Sequence, residues 1–199
     1  MEMNYQQLDF LKELANIGTG HATTALSTML DNKRLVIDVP EILLISFDQI
    51  STHIGALDQI VAGIYIGVSG DIQGHMAFIL DFESAKTLVR SLTDNKVDIS
   101  DELGQSALQE VGNIMVTSYL NALATMTDLF LAPSVPAVAI DMAGAVWDSI
   151  LAGAAVADII TLIKTMFTAD EIEISGSILF LPSEQDFGRL AQSLGMEAY

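Results

Sequence analysis

The sequence contains no cysteine among its 199 residues. Disulfide bonds, thiolate catalysis and cysteine-ligated zinc sites are therefore excluded. Basic residues are scarce as well, because 8 lysines and arginines stand against 26 aspartates and glutamates, for a net charge of −18. A chain this acidic repels phosphate backbones and anionic lipid surfaces, so neither nucleic-acid binding nor membrane binding is expected.

Long uncharged apolar runs and a secretion signal are also missing. The most apolar stretch, residues 143–163, contains Asp148 and Asp158, and two carboxylates make a membrane span costly. No basic segment precedes an apolar run near residue 1, so a cytoplasmic protein is expected. Hydrophobic residues make up 51% of the chain and charged residues 17%, which is typical of a folded protein with a sizeable core.

Motifs of several enzyme classes are absent. The histidines, His21, His53 and His75, are far apart in sequence, so the chain is not expected to hold a metal or cofactor of its own. Residues 18–23 (GTGHAT) lack the third glycine of a dinucleotide loop. Their glycines are better explained by close approach of a partner or of another element. No Gly-x-Ser-x-Gly elbow of a serine hydrolase is present.

What the sequence does contain is a stretch that occurs twice. Residues 8–30 align with residues 105–127, and eight aligned positions are identical. Both copies carry a glutamate, two intervening residues and an asparagine: Glu13 and Asn16, then Glu110 and Asn113. The ends of the two halves also align with each other, which predicts an internal duplication of the chain.

Each copy predicts a long helix with an apolar side and a polar side. At 100° per residue, Glu13 and Asn16 fall opposite the apolar stripe, about one turn apart. An exposed glutamate on a helix is ordinarily only solvated. Asparagine is disfavoured within helices because its side chain competes for backbone hydrogen bonds. Its repetition at a matched outer position therefore indicates a function, against the alternative of a solvated duplicated helix without a site.

The other segments predict an α+β fold with a single domain and an internal pseudo-two-fold. Each half is expected to form a long helix, three strands and a short helix, with repeats over about 5–95 and 100–195 and the sheet covered by helices. Pro40 predicts an edge strand or a bulge. Residues 143–157 leave helix and strand open. We expect both long helices to carry their Glu and Asn outward.

A carboxylate and an amide on a convex helix form a poor pocket for a small molecule. They suit a reaction that is completed inside another protein. The amide both donates and accepts hydrogen bonds, so it can orient a water for in-line attack on a phosphoryl group. The carboxylate is better suited to pairing with a partner's Lys or Arg. A metal that neutralises phosphoryl charge would have to come with the partner.

These features resemble the paired signature of the CheC/CheX/FliY family of chemotaxis phosphatases. The resemblance is carried by two motifs of one spacing, Asp9-x3-Glu13-x2-Asn16-x3-Gly20 and Ser106-x3-Glu110-x2-Asn113. It extends over nearly the whole chain, and the presence of two motifs is similar to the CheC branch of the family.

The resemblance implies a hydrolase that acts on the aspartyl-phosphate of the response regulator CheY. It implies that Asn16 and Asn113 each position the attacking water, and that Glu13 and Glu110 each pair with a Lys of the regulator. Mg2+ would be bound by the regulator. A complex with the receptor deamidase CheD is implied as well.

The second motif departs from the first at Thr117, which stands where the first has Gly20. A side chain at this position is expected to obstruct close docking of a partner at the second site. The alternative function is an adaptor that binds CheD or a flagellar switch protein, with weak or no hydrolysis. A monomer is expected, because the duplication already supplies a two-fold.

Overall fold

Six helices and seven strands make up the part of the chain that the computed structural model describes, residues 5–30, 35–46, 49–94, 96–151, 159–169 and 172–193. The helices are α1 (Tyr5–Met29), α2 (Ile50–Ile54), α3 (Phe82–Leu92), α4 (Glu102–Thr127), α5 (Ala143–Leu151) and α6 (Glu184–Ser193). The strands are β1 (Leu35–Ser46), β2 (Ile60–Gly70), β3 (Gly74–Asp81), β4 (Leu131–Pro133), β5 (Ala137–Met142), β6 (Ile159–Ala169) and β7 (Ile172–Pro182).

The strands form one antiparallel sheet in the order β1-β6-β7-β3-β2-β4, and β5 also pairs with β2. The middle pair, β3 and β7, joins the last strand of each half. The first long strand of each half pairs with a strand of the other half. β1 of the first half pairs with β6 of the second, and β5 of the second half pairs with β2 of the first. The predicted α+β fold with a single domain is confirmed. The strand order matches on both sides of the middle pair and so supports an internal duplication, whose boundaries stay predictions.

β1 shows the irregularity that Pro40 predicts. Its pairing register with β6 shifts between Asp38 and Glu41, and it is the terminal strand of the sheet order. The missing N–H of proline is tolerated there because a bulge and an edge leave that donor position without a ladder partner. Beyond the bulge, Glu41 forms an ion pair with Lys164 of β6, and 2.6 Å separates Glu41 Oε2 from Lys164 Nζ.

Both faces of the sheet carry a hydrophobic core. On one face, the long helices contribute Leu14 and Met115, which pack with Phe78 of β3. On the other face, Trp147 of α5 packs with Leu179 of β7. α1 lies against β1 and α4, and α4 also contacts β2 and β3. The long helices are therefore neighbours on one face of the sheet.

Two short helices begin with side-chain caps. The carboxylate of Asp81 accepts a 2.8 Å hydrogen bond from the backbone N–H of Ser84 at the start of α3. At the start of α6, the Ser183 hydroxyl accepts a 3.2 Å bond from the N–H of Asp186. Such bonds satisfy the free N–H groups of the first helical turn.

Three local assignments differ from the sequence expectations or complete them. The short helix α2 was not expected, and its Ile50 is buried in the core cluster that contains Trp147. The short strand β4 was not expected. The segment 143–157, for which the sequence left helix and strand open, begins with a helix, α5, and residues 152–158 lie outside the described part. No described helix is long and apolar enough to cross a membrane.

Candidate functional site

The first predicted pair, Glu13 and Asn16, lies on the outer side of α1 with both side chains exposed. Leu14 and Ala15 are 7% and 1% exposed and fix the opposite side of the helix in the core. Within the described part of the chain, Glu13 takes part in no ion pair. A carboxylate and an amide one turn apart are thus presented to solvent from a helix whose opposite side is packed in the core.

A groove of about 600 Å3 opens beside Asn16, between α1 and the start of β1. The helix side is formed by Asn16, Thr19, Gly20 and Thr23, and the strand side by residues 35–39. Asp38 of that strand is exposed and has no ion-pair partner among the described residues. Asn16 of the first pair therefore borders a depression with polar residues on its helix side, which is open to a segment of another protein.

The second predicted pair lies on α4 in a more covered setting. Glu110 is exposed, but Asn113 is half-buried, so the prediction of a fully outward asparagine is confirmed at Asn16 and only in part at Asn113. The segment before β5 folds against this part of α4, where the Gln109 amide donates a 2.8 Å hydrogen bond to the carbonyl of Pro136. The two sites share their motif residues but differ in their surroundings.

The residue one turn after each asparagine separates the sites further. In α4 the Thr117 hydroxyl donates a 2.5 Å hydrogen bond to the backbone carbonyl of Asn113. In α1 the matching position is Gly20, which is exposed and has no side chain. Hydroxyl back-bonding of this kind occurs within helices, where it slightly destabilises or bends them.

The helices that carry the two sites meet at Gly18 of α1 and Tyr119 of α4. A Cβ placed on Gly18 would lie 2.8 Å from the Tyr119 ring, so only glycine allows this approach. The Tyr119 side chain is 1% exposed, and its hydroxyl lies 2.8 Å from that of Thr19. Burial raises the pKa of Tyr119 to about 12, and the bond from Thr19 opposes that rise.

Thr19, Thr23, Asp38 and Gln109 are site residues that sequence reasoning did not identify. Thr19 and Thr23 lie three and seven positions after Asn16, so helical periodicity alone could have placed them beside it. Asp38 and Gln109 depend on contacts between a helix and a distant strand or loop, for which the sequence gives no local signal. Tertiary packing supplies this part of the site.

The histidines form no cluster around the two pairs. His75 lies on the sheet, where its ring stacks on Tyr65 at 5.3 Å and its Nδ1 is hydrogen-bonded to the Tyr65 hydroxyl. Burial lowers the pKa of His75 and raises that of Tyr65. Within the described residues, no group of three or more His, Asp and Glu side chains is arranged to hold a metal ion.

Solved structures with the same fold include FliY and the chemotaxis protein CheX. FliY of Thermotoga maritima superposes with a TM-score of 0.75 and 17% identity, covering 98% of each chain. A complex of CheX with CheY, BeF3 and Mg2+ from Borrelia burgdorferi superposes with a TM-score of 0.51 and 15% identity, covering 86% of this chain and 98% of that one. The fold is thus the one found in FliY and CheX.

Sequence similarity identifies the family within this fold. A family model described as the CheC-like family matches residues 7–44 and 103–140, the two segments that contain the paired motifs. CheY-P phosphatase CheC of Bacillus subtilis is 36% identical over 198 residues, covering 96% of this chain and 94% of that protein. The chain belongs to the CheC-like family.

Proposed function

We propose that this chain hydrolyses the aspartyl-phosphate of a phosphorylated CheY response regulator. The observation that carries the proposal is the repeated pair, a carboxylate and an amide one turn apart on each long helix. The 36% identical relative is named a CheY-P phosphatase, which supports the same substrate here. The complex of CheX with CheY supports a folded protein, rather than a small molecule, as the partner.

Asn16 and Asn113 are the water-positioning residues in this proposal. The amide oxygen accepts a hydrogen bond from the water and the amide N–H donates to a phosphoryl oxygen, and neither interaction places a negative charge near the phosphoryl group. The water oxygen bonds to phosphorus while the bond from phosphorus to the aspartyl oxygen breaks. Inorganic phosphate leaves with both water protons, and the regulator's carboxylate is restored.

Glu13 and Glu110 hold the regulator in this proposal. Each is exposed and belongs to no ion pair in the described part of the chain, so its charge is available to a cation of the partner. A lysine near the regulator's phosphoryl group is the matching chemistry, since a carboxylate placed next to the phosphate itself would be repelled. The regulator also brings the Mg2+ that neutralises developing charge.

The proposal is tested by the decay of phosphorylated CheY with wild type, Asn16→Ala, Asn113→Ala and the double mutant. We expect each single mutant to keep part of the activity and the double mutant to lose about 100-fold or more, because a misplaced nucleophile costs about that much. Asn121→Ala is the matched control, since Asn121 is an exposed asparagine of α4 outside both pairs. Its activity should equal that of wild type.

The same assay is run with and without CheD, which we propose as a second partner. If wild type does not accelerate the decay of phosphorylated CheY in either condition, the phosphatase proposal is wrong. Binding of CheD or of a flagellar switch protein without any hydrolysis would then favour the adaptor alternative. Activity that survives in the double mutant would reject Asn16 and Asn113 as the water-positioning residues.

A further inference from the structure

Gly20 has no structural reason to be glycine. It lies within α1, where glycine destabilises a helix relative to alanine by adding backbone freedom to the unfolded chain. A Cβ placed on Gly20 would meet nothing within 4 Å, and its φ is not in the left-handed region. An alanine would therefore fit the folded chain without strain.

Other helical glycines in this chain behave differently. A Cβ on Gly18 would lie 2.8 Å from the Tyr119 ring, and a Cβ on Gly112 would lie 2.4 Å from Ile64. These glycines are required by the contacts of α1 with α4 and of α4 with the sheet. Gly20 breaks a local stability rule without any compensating contact, and such breaks are typical of functional positions.

The position of Gly20 indicates what that function is. It lies one turn after Asn16 on the same side of α1, and both residues line the groove beside β1. A side chain at Gly20 would project into space that a partner needs in order to bring its phosphoryl group to Asn16. Among the residues that line this groove, Gly20 alone has no side chain.

We propose that Gly20 is a positioning residue that lets the phosphorylated regulator approach the backbone of α1, and that Thr117 prevents an equally close approach at the second site. This inference rests on the proposed phosphatase function. It makes the Glu13–Asn16 site the more efficient of the two. The difference comes from one missing side chain and not from the motif residues, which are the same in both sites.

The contacts of Thr117 support this difference. Its hydroxyl is held at 2.5 Å on the carbonyl of Asn113, which fixes the side chain on the surface next to that residue. Asn113 is itself half-buried, whereas Asn16 is exposed. A regulator docking on α4 therefore meets a fixed side chain where one docking on α1 meets none.

The experiment isolates each site by inactivating the other. Gly20→Ala and Gly20→Thr are made in the Asn113→Ala background, and Thr117→Gly in the Asn16→Ala background. We expect Gly20→Ala to raise the urea midpoint of unfolding slightly and to lower kcat/KM about tenfold. Gly20→Thr should lower kcat/KM further, because small displacements of the reacting atoms have large kinetic effects. We expect Thr117→Gly to raise kcat/KM although it lowers helix stability.

A purely structural role for Gly20 predicts a different pattern. Loss of activity would then accompany loss of stability, as expected for the control Gly18→Ala. The inference is overturned if Gly20→Ala keeps the kcat/KM of its parent, or if Thr117→Gly, shown by circular dichroism to be folded at the assay temperature, gains no activity. If wild type itself does not accelerate the decay of phosphorylated CheY, it is the proposed function that fails.

Discussion

The hydroxyl of Tyr119 in α4 lies 2.8 Å from the hydroxyl of Thr19 in α1, and this bond joins the two helices that carry the candidate sites. Tyr119→Phe removes the bond and keeps the ring that packs against Gly18. We expect the free energy of unfolding to fall by about 0.5–1.5 kcal/mol, the usual net contribution of one neutral hydrogen bond. Urea denaturation of wild type and Tyr119→Phe at pH 7 measures this loss of unfolding free energy.

The control for this prediction is Thr19→Val, which removes the same bond from the other helix at nearly constant volume. In a double-mutant cycle the two losses should be less than additive, because both variants delete one interaction. Strictly additive losses would show that the two hydroxyls do not stabilise each other in solution.

The buried hydroxyl of Tyr119 also predicts a pH dependence of stability. Its pKa in the folded chain is raised to about 12 from the ordinary value of 10, mainly by burial. Between about pH 10 and pH 12, Tyr119 is ionised in the unfolded chain and neutral in the folded chain. Unfolding is therefore increasingly favoured as the pH rises through this range. The raised pKa of Tyr119 therefore contributes about 2–3 kcal/mol to the free energy of unfolding. This contribution is fully present below pH 10 and is lost by pH 12.

Urea unfolding from pH 8 to pH 11.5 tests this slope. The comparison is with Tyr119→Phe, because every other titrating group, including the half-buried Tyr65, is common to both proteins. The difference in unfolding free energy between the two should narrow or reverse as pH rises above 10. Parallel curves for the two proteins would mean that Tyr119 titrates normally in the folded chain.

Gly18 and Gly20 should respond in opposite ways to the same substitution. Gly18→Ala places a Cβ 2.8 Å from the Tyr119 ring, whereas Gly20→Ala places one in open space. Both substitutions share the gain in helix propensity, so their difference isolates the clash. We expect Gly18→Ala to be less stable than Gly20→Ala by about 1–3 kcal/mol, the usual cost of overpacking.

A smaller side chain opposite Gly18 provides the control. In a Tyr119→Leu background the clash is relieved, and Gly18→Ala should then resemble Gly20→Ala in its effect on the urea midpoint. If Gly18→Ala stabilises the chain even with Tyr119 present, the helices are not in the close contact that the structure shows.

The sequence predicts the two helices and their paired residues well because these depend on local periodicity. The positions of Glu13 and Asn16 follow from their spacing along one helix. The pairing of strands between the two halves cannot be predicted in this way, since it joins segments that are distant in sequence. For the same reason the covering of Asn113 and the groove wall at Asp38 are visible only in the folded chain.

The glutamates and asparagines of the proposed sites should affect different kinetic constants. Glu13 and Glu110 hold the regulator through a charge-assisted bond that exists both before and during the reaction, so Glu→Gln at both positions should mainly raise KM. A loss of about 1.5–3 kcal/mol corresponds to a rise of about 10–100-fold. Asn16→Ala and Asn113→Ala instead remove the positioning of the water and should mainly lower kcat.

Steady-state turnover of phosphorylated CheY over a range of regulator concentrations separates these outcomes. Glu173→Gln is the control for each single variant, Glu13→Gln and Glu110→Gln, because it too removes one negative charge, from an exposed residue of β7 outside both sites. An equal rise in KM for this control would attribute the effect to net charge, since the chain is acidic throughout. A fall in kcat at constant KM in the glutamate variants would contradict pairing with the regulator and place the carboxylates in the chemical step.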